Sequence, residues 1–232
     1  MSSGPPAHVM QTTPSPRPSA AEVSGRPALP DGRTGAPRAV DQAAWSLVHS
    51  LIHDRQNVGS KRLEAPGPDS AQLEQLMHAA AAAPDHGRLM PWRFVLVPED
   101  KRGLLAEAFA AALVERDPSA GETEMEQAGE KAFRGPLLLL AVSRLGRAEP
   151  DIPWQERLVS LGCAIQNLLL AAQALGYGCG LASGQAMGST ALRTLFRLVP
   201  GEEAVCFVSV GTVRKCRPPR ERPQLTHILA TL

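Results

Sequence analysis

From Asp41 onward, apolar residues recur at helical spacing: Ala44, Trp45, Val48, Leu51 and Ile52 share one face of a helix that stops near Arg55. Asp69 and Gln72 have capping-box spacing ahead of a helix over 71–83, which Pro84 ends. The alternating Trp92-Arg93-Phe94-Val95-Leu96-Val97 reads as a strand, and helices follow over 99–116 and 122–132, the second short and charged. Residues 136–142 form a continuous apolar run of strand length, which belongs in a sheet interior covered on both faces, with Pro136 at its first position. The longest helix covers 154–175 and is nearly all apolar over 164–174, so it is predicted at the centre of the fold or in a subunit interface, with Gly176 as its stop. A Gly-rich strand or turn (178–184), a helix (189–198) and a β-branched strand (204–213) complete the pattern.

Outside these elements the chain changes character. Residues 1–40 are Pro, Gly, Ser, Thr, Ala and isolated Arg without helical or strand period, and such a segment cannot bury enough apolar area to offset its ordering entropy. They are read as a disordered N-terminal extension, and 41–232 as the one folded domain that 232 residues allow. Residues 56–68 read as a polar connector, and the tail from Arg214 is basic and Pro-rich.

Charge and composition narrow the function. Lys and Arg (24) nearly balance Asp and Glu (23), which lacks the one-signed field of a nucleic-acid or membrane-surface binder. No apolar run reaches the roughly 18–20 residues that span a bilayer, and no apolar segment follows the first Met, so the expected location is the cytoplasm. Cys163, Cys179, Cys206 and Cys216 show neither a CxxC pair nor dense spacing and read as reduced thiols.

Common catalytic signatures fail: the chain has no GxGxxG after a strand, no GxxxxGK[ST], no HExxH and no GxSxG. His49 and His53 stand i, i+4 but have no third ligand near in sequence, so no metal site is assigned. Cys163 and Cys206 lie in apolar contexts without a neighbouring base and read as small buried hydrophobes. The informative segment is Ala82-Ala83-Pro84-Asp85-His86-Gly87-Arg88-Leu89-Met90-Pro91-Trp92-Arg93-Phe94, a helix end, a Pro-flanked loop and a strand.

This segment resembles the short bacterial branch of the nitroreductase-like family of FMN-dependent oxidoreductases, which carries Ala-Pro-Asp-His followed by Pro-Trp-x-Phe. The likeness continues in collinear order over roughly 43–225. It takes in Arg55, Lys61-Arg62-Leu63, Phe133-Arg134-Gly135-Pro136, Pro153-Trp154-Gln155-Glu156, the apolar helix from Gly162 with its glycine turn, Gly211-Thr212 and Arg220-Glu221-Arg222-Pro223.

The resemblance implies an α+β fold, a mixed and mainly antiparallel sheet surrounded by helices, assembled as a homodimer with FMN at the subunit interface. It implies hydride transfer from NADPH or NADH through the flavin to a small-molecule acceptor such as a nitroaromatic or quinone. A flavin-dependent dehydrogenase of the same fold and a non-enzymatic flavin-binding protein stand as alternatives.

By the same likeness, Arg55, Arg220 and Arg222 match the phosphate-binding positions, where planar, always-charged guanidinium groups suit a doubly charged phosphate. Lys61 or Arg62 matches the cation beside the ring edge that becomes anionic on reduction. Ser183-Gly184 match the small residues beside the flavin N5 edge, and Pro84, Asp85, His86 and Gly87 the loop along the ribityl chain and ring. Gln56-Asn57 stand where the family has Arg-Ser, removing one charge, with Asn57 as the substitute donor. Met90 and Leu181-Ala182 also depart from the branch's usual Gln and Trp-Arg.

Overall fold

The computed structural model describes residues 39–146, 152–215, 218 and 221–232. The extension read over 1–40 falls, but for its last two positions, outside the described residues, as do Cys216 and Arg220.

Six helices and five strands follow in the order α1 (Gln42–Asp54), β1 (Leu63–Glu64), α2 (Ser70–Ala81), β2 (Trp92–Leu96), α3 (Arg102–Arg116), α4 (Glu122–Gly129), β3 (Leu137–Arg144), α5 (Trp154–Ala174), β4 (Gly178–Ala182), α6 (Thr190–Leu195) and β5 (Glu202–Val213). Local chemistry sets several boundaries. The Asp41 carboxylate accepts from the Ala43 and Ala44 N–H groups and starts α1. At α2 the Asp69 carboxylate accepts from the Gln72 N–H (2.8 Å) while the Gln72 side chain accepts from the Asp69 N–H (3.0 Å), the reciprocal box the spacing predicted.

The sheet is built on β5, which pairs antiparallel with β3, β4 and β1; β2 adds antiparallel to the far side of β3. Every strand pairing among the described residues is antiparallel, and an isolated parallel bridge joins Asn57 to Cys179. Alternation along β3 explains its unbroken apolar run. Leu137, Leu139 and Ala141 enter one core with α2 and α5, and Leu138, Leu140 and Val142 enter a second with α3 and α6. On β5 a register shift opposite Ala141/Val142 inserts one residue, so Cys206 and Val208 face the α5 side while Ala204 and Phe207, three apart, both face the α3 side.

Three differences from the sequence pattern have clear causes. The connector over 56–68 contains a 3-10 turn (Ser60–Arg62) and β1, a two-residue strand held only by its pairing to Thr212 and Val213. The helix expected over 99–116 opens as a 3-10 turn (Glu99–Lys101) that runs into α3 at Arg102, whose buried guanidinium donates to the carbonyls of Val97, Ala132, Gly135 and Pro136 and ties the helix to the start of β3. Helix α6 ends at Leu195, short of the predicted limit, and Arg197 then takes a positive φ of 49°.

Candidate functional site

The segment leaving α1 is laid across β4. Arg55 caps the helix in an extended conformation, and the Val58 N–H then donates to the Cys179 carbonyl at 2.8 Å. The Asn57 side-chain carbonyl accepts from the Leu181 N–H at 3.0 Å, so this residue anchors the segment to the sheet with its oxygen. The approach is close enough that a Cβ on Gly180 would lie 2.2 Å from the Val58 carbonyl oxygen, which is why glycine is needed there.

Cations gather where this segment meets the C-terminal region. Arg222 donates to the carbonyls of His53 (2.9 Å) and Arg55 (3.0 Å), two acceptors that the end of α1 leaves open. Arg62 donates to the Lys215 carbonyl at 3.3 Å. Arg62 and Lys215 share a cavity wall with Asp54, Gln56, Tyr177 and Cys179. Among the described residues, the Arg55 Nε is one of two buried side-chain polar atoms with no hydrogen-bond partner. A buried donor left unsatisfied costs free energy, so its placement here points to an acceptor that the chain does not itself supply. Arg220 lies outside the described residues.

The Cys179 thiol beneath this group is not reactive. Burial pushes it up to about 11, outweighing the opposing pull of the Arg55 charge, and its Sγ lies 3.5 Å from the Leu169 carbonyl oxygen. Burial likewise raises Cys206 to about 11. His49 and His53 stack on each other at 4.0 Å between ring centroids, and no group of metal-ligating side chains occurs among the described residues.

Lys61 and Arg62, adjacent in sequence, line different cavities. Lys61 shares one with Ser60, Glu130 and Arg134. Ser60 also lines a cavity of about 190 Å³ with Ser183 and Gly184, floored by Phe109 and Phe207. Arg116, Lys131 and Arg134 belong to the same wall. Sequence reasoning gave these three no role: Arg116 and Lys131 end or follow helices where cations are ordinary, and Arg134 figured only in the Phe133-Arg134-Gly135-Pro136 motif.

The remaining predicted residues sit elsewhere. The Pro84 carbonyl accepts from Ser160 Oγ (2.9 Å), which itself accepts from Trp92 Nε1 (3.0 Å). His86 Nδ1 lies 2.6 Å from a Glu156 carboxylate oxygen, and the Asp85 carboxylate accepts the Met90 N–H. Gly87 turns the chain at φ 67°. Glu156 and Ser160 are near the start of α5, whereas Gln173, beside the Arg62 cavity, is near its end. Seventeen residues of helix separate Glu156 from Gln173, about 25 Å at 1.5 Å per residue. One chain therefore separates the Pro84–Gly87 turn, beside the start of α5, from the cavity of Gln56 and Arg62 near its end; Arg55, Asn57 and Arg222 gather beside that cavity, while Lys61 lines a second one and Ser183 and Gly184 a third.

A family model described as Nitroreductase family matches residues 61–212, well over half of the chain. The chain belongs to the nitroreductase family. A Haemophilus influenzae protein named "Putative NAD(P)H nitroreductase" is 35% identical over 163 residues, covering 68% of this chain and 88% of that protein. Escherichia coli YdjA, of the same name, is 30% identical over 155 residues, 66% of this chain and 82% of its own. Among solved structures, a nitroreductase-like family protein from Bacillus cereus superposes with a TM-score of 0.69 at 19% identity, covering 85% of this chain and 99% of that one. A nitroreductase with bound FMN from Desulfitobacterium hafniense gives 0.59 at 18%, covering 80% and 98%. These likenesses establish the nitroreductase-like α+β fold.

In this member of the nitroreductase family the matched residues begin at Lys61, so Arg55, Gln56 and Asn57 precede the family match, as Arg222 follows it. Their grouping is a property of the folded chain. Arg222 reaches the Arg55 carbonyl, Arg62 reaches the Lys215 carbonyl, and the buried Arg55 Nε has no partner. Among the described residues no helix is long and apolar enough to cross a membrane.

Proposed function

We propose that the chain is an FMN-dependent oxidoreductase that takes a hydride from NADPH or NADH and passes it to a small-molecule acceptor, such as a nitroaromatic or quinone, in alternating half-reactions. The observation that carries this reading is the buried Arg55 Nε with no partner, on a residue whose carbonyl Arg222 holds. A flavin phosphate brings nearly two negative charges and several acceptor oxygens, and would satisfy that nitrogen. Arg55 and Arg222 would hold the phosphate, with Arg220 beside them in sequence, and Asn57 retains its amide N–H groups for the same neighbourhood.

When bound, the flavin supplies the two-electron hydride chemistry. The chain's residues bind, orient and exclude water. Lys61 or Arg62 would offset negative charge at the ring's carbonyl edge, and Ser183 and Gly184 would leave room beside N5. No side chain is assigned a covalent role, consistent with thiols at Cys179 and Cys206 held protonated by burial.

The Pro84–Gly87 turn lies too far along α5 to reach the same flavin from the same chain, so we assign it to the site of a second copy, giving a homodimer with interface sites. Helix α1 supports this. Trp45 (58% exposed), Val48 and Ile52 present an unpartnered apolar face, and Leu225, Ile228 and Leu229 are exposed at the C-terminal end. A cytoplasmic enzyme with a separate extension over 1–40 completes the proposal.

The test is the visible spectrum of gently purified protein, with the chromophore released by denaturation and identified. FMN is expected, and Arg55→Ala or Arg222→Ala should purify with flavin content reduced about tenfold or more, the worth of a charge-assisted bond to phosphate. A colourless protein that also fails to bind added FMN would overturn the reading.

A further inference from the structure

The turn that follows α2 is fixed more tightly than a connector requires. Gly87, Arg88 and Met90 all have positive φ, at 67°, 56° and 44°, and for the two that carry side chains this conformation is strained. Such strain persists only where the surroundings over-determine it, and it gathers at working sites. Here the Asp85 carboxylate accepts the Met90 N–H, and Ser160 Oγ donates to the Pro84 carbonyl at 2.9 Å.

The turn presents His86. Its side chain is 63% exposed, and an exposed side chain ordinarily moves freely among rotamers. Yet Nδ1 is held 2.6 Å from a carboxylate oxygen of Glu156, in the first turn of α5. The neighbouring charges are engaged elsewhere: Asp85 with the Met90 N–H, and the Arg157 guanidinium with the carbonyls of Ile152 and Arg144. A nitrogen facing a carboxylate carries its proton there, so Nε2, on the opposite edge of the ring, is the nitrogen left to exchange one.

A quinone that has gained a hydride is a hydroquinone anion, and one of its oxygens must take up a proton. Among the described residues assigned to the flavin site, His86 is the one side chain of a type that changes charge near neutral pH. We propose that His86, held by Glu156, is the proton donor to the acceptor, and that the acceptor it serves is a quinone. The Nε2–H bond of the imidazolium breaks as an O–H bond forms on the hydroquinone anion. The products are neutral hydroquinone and a neutral imidazole whose Nδ1 proton stays on the Glu156 side, and solvent returns the proton to Nε2. The inference rests on the oxidoreductase reading, with this turn at a flavin site, and deepens it by naming the source of the proton.

The test mixes the FMN-loaded full chain, reduced with dithionite, with benzoquinone, which needs a proton, or with ferricyanide, which takes only an electron. Rates of flavin reoxidation are compared as the ratio between the two acceptors. His86→Gln should lower the ratio about a hundredfold, the worth of a positioned general acid. Glu156→Gln, which keeps an oxygen for Nδ1 without the charge, should lower it by a smaller factor. Added imidazole should restore the ratio in His86→Ala. A readout without turnover is 4-nitrophenol, whose phenolate is coloured and mimics the hydroquinone anion. By difference spectrum on the oxidised protein, the wild type should bind the phenolate about tenfold more tightly than His86→Gln does. An unchanged ratio in His86→Gln overturns the inference, as does a fall accompanied neither by imidazole rescue nor by weaker phenolate binding. If NADH and NADPH both fail to bleach the bound flavin anaerobically, the oxidoreductase reading falls and takes the inference with it; bleaching with an unchanged ratio removes the inference alone.

Discussion

Glu202 is the most perturbed carboxylate in the fold. Its buried side chain accepts two 2.8 Å bonds from the fork of Arg93, with Arg144 at 3.5 Å and the Val199 N–H at 3.3 Å. The Arg93 hydrogen bonds hold its carboxyl down at about 2, against an ordinary 4.5. The folded chain therefore binds that proton more weakly than the unfolded chain does. The stabilisation is complete above about pH 4.5 and is lost as pH falls from there toward 2. Thermal unfolding followed by circular dichroism should show a decline across that window, and Glu202→Gln should be less stable at neutral pH by about 1.5–3 kcal/mol and lose that part of the acid dependence. An unchanged acid profile in the variant would assign the decline to other carboxylates.

At the scale of elements, the site depends on how the segment after α1 is laid on β4. Gly180→Ala would place a methyl 2.2 Å from the Val58 carbonyl oxygen, a backbone atom with no rotamer to escape into. The segment must lift, breaking the Val58–Cys179 and Asn57–Leu181 bonds and carrying Arg55 with it. The variant should lose about 1–3 kcal/mol by denaturant unfolding and retain less flavin on purification. Full flavin content in a destabilised variant would detach the segment from the cofactor. Little of this was visible in sequence. The box at Asp69 and Gln72 and the run over 136–142 were legible because each follows from local spacing or from alternation across a covered sheet. β1 was not, since two residues show no period and are a strand only through Thr212 and Val213, nearly 150 positions away. Nor was the meeting of Lys131, read within a short charged helix, and Arg134, read within the Phe133–Pro136 motif, with Ser183 and Gly184 in one cavity, since no local spacing joins them.

At the scale of the molecule, the separation of the Pro84–Gly87 turn from that cavity of Gln56 and Arg62 makes the dimer testable without a structure of the complex. Glu156, bonded to His86 of the turn, and Gln173, in the cavity of Gln56 and Arg62, stand about 25 Å apart along α5, so in the proposed dimer a flavin draws on both chains. A chain with Arg55→Ala and Arg222→Ala spoils only its own phosphate end. A chain with Gly87→Val, whose β-branched side chain resists the φ of 67° found there, spoils only the turn it lends to its neighbour. In a mixed dimer both lesions fall on the same site, and the second site is built wholly from unaltered parts. Co-expression with distinguishable tags and tandem purification should therefore recover about half of the wild-type flavin per dimer, although each variant alone retains little. If the turn instead served its own chain, each site of the mixed dimer would carry one lesion, and flavin content would stay near that of the variants themselves.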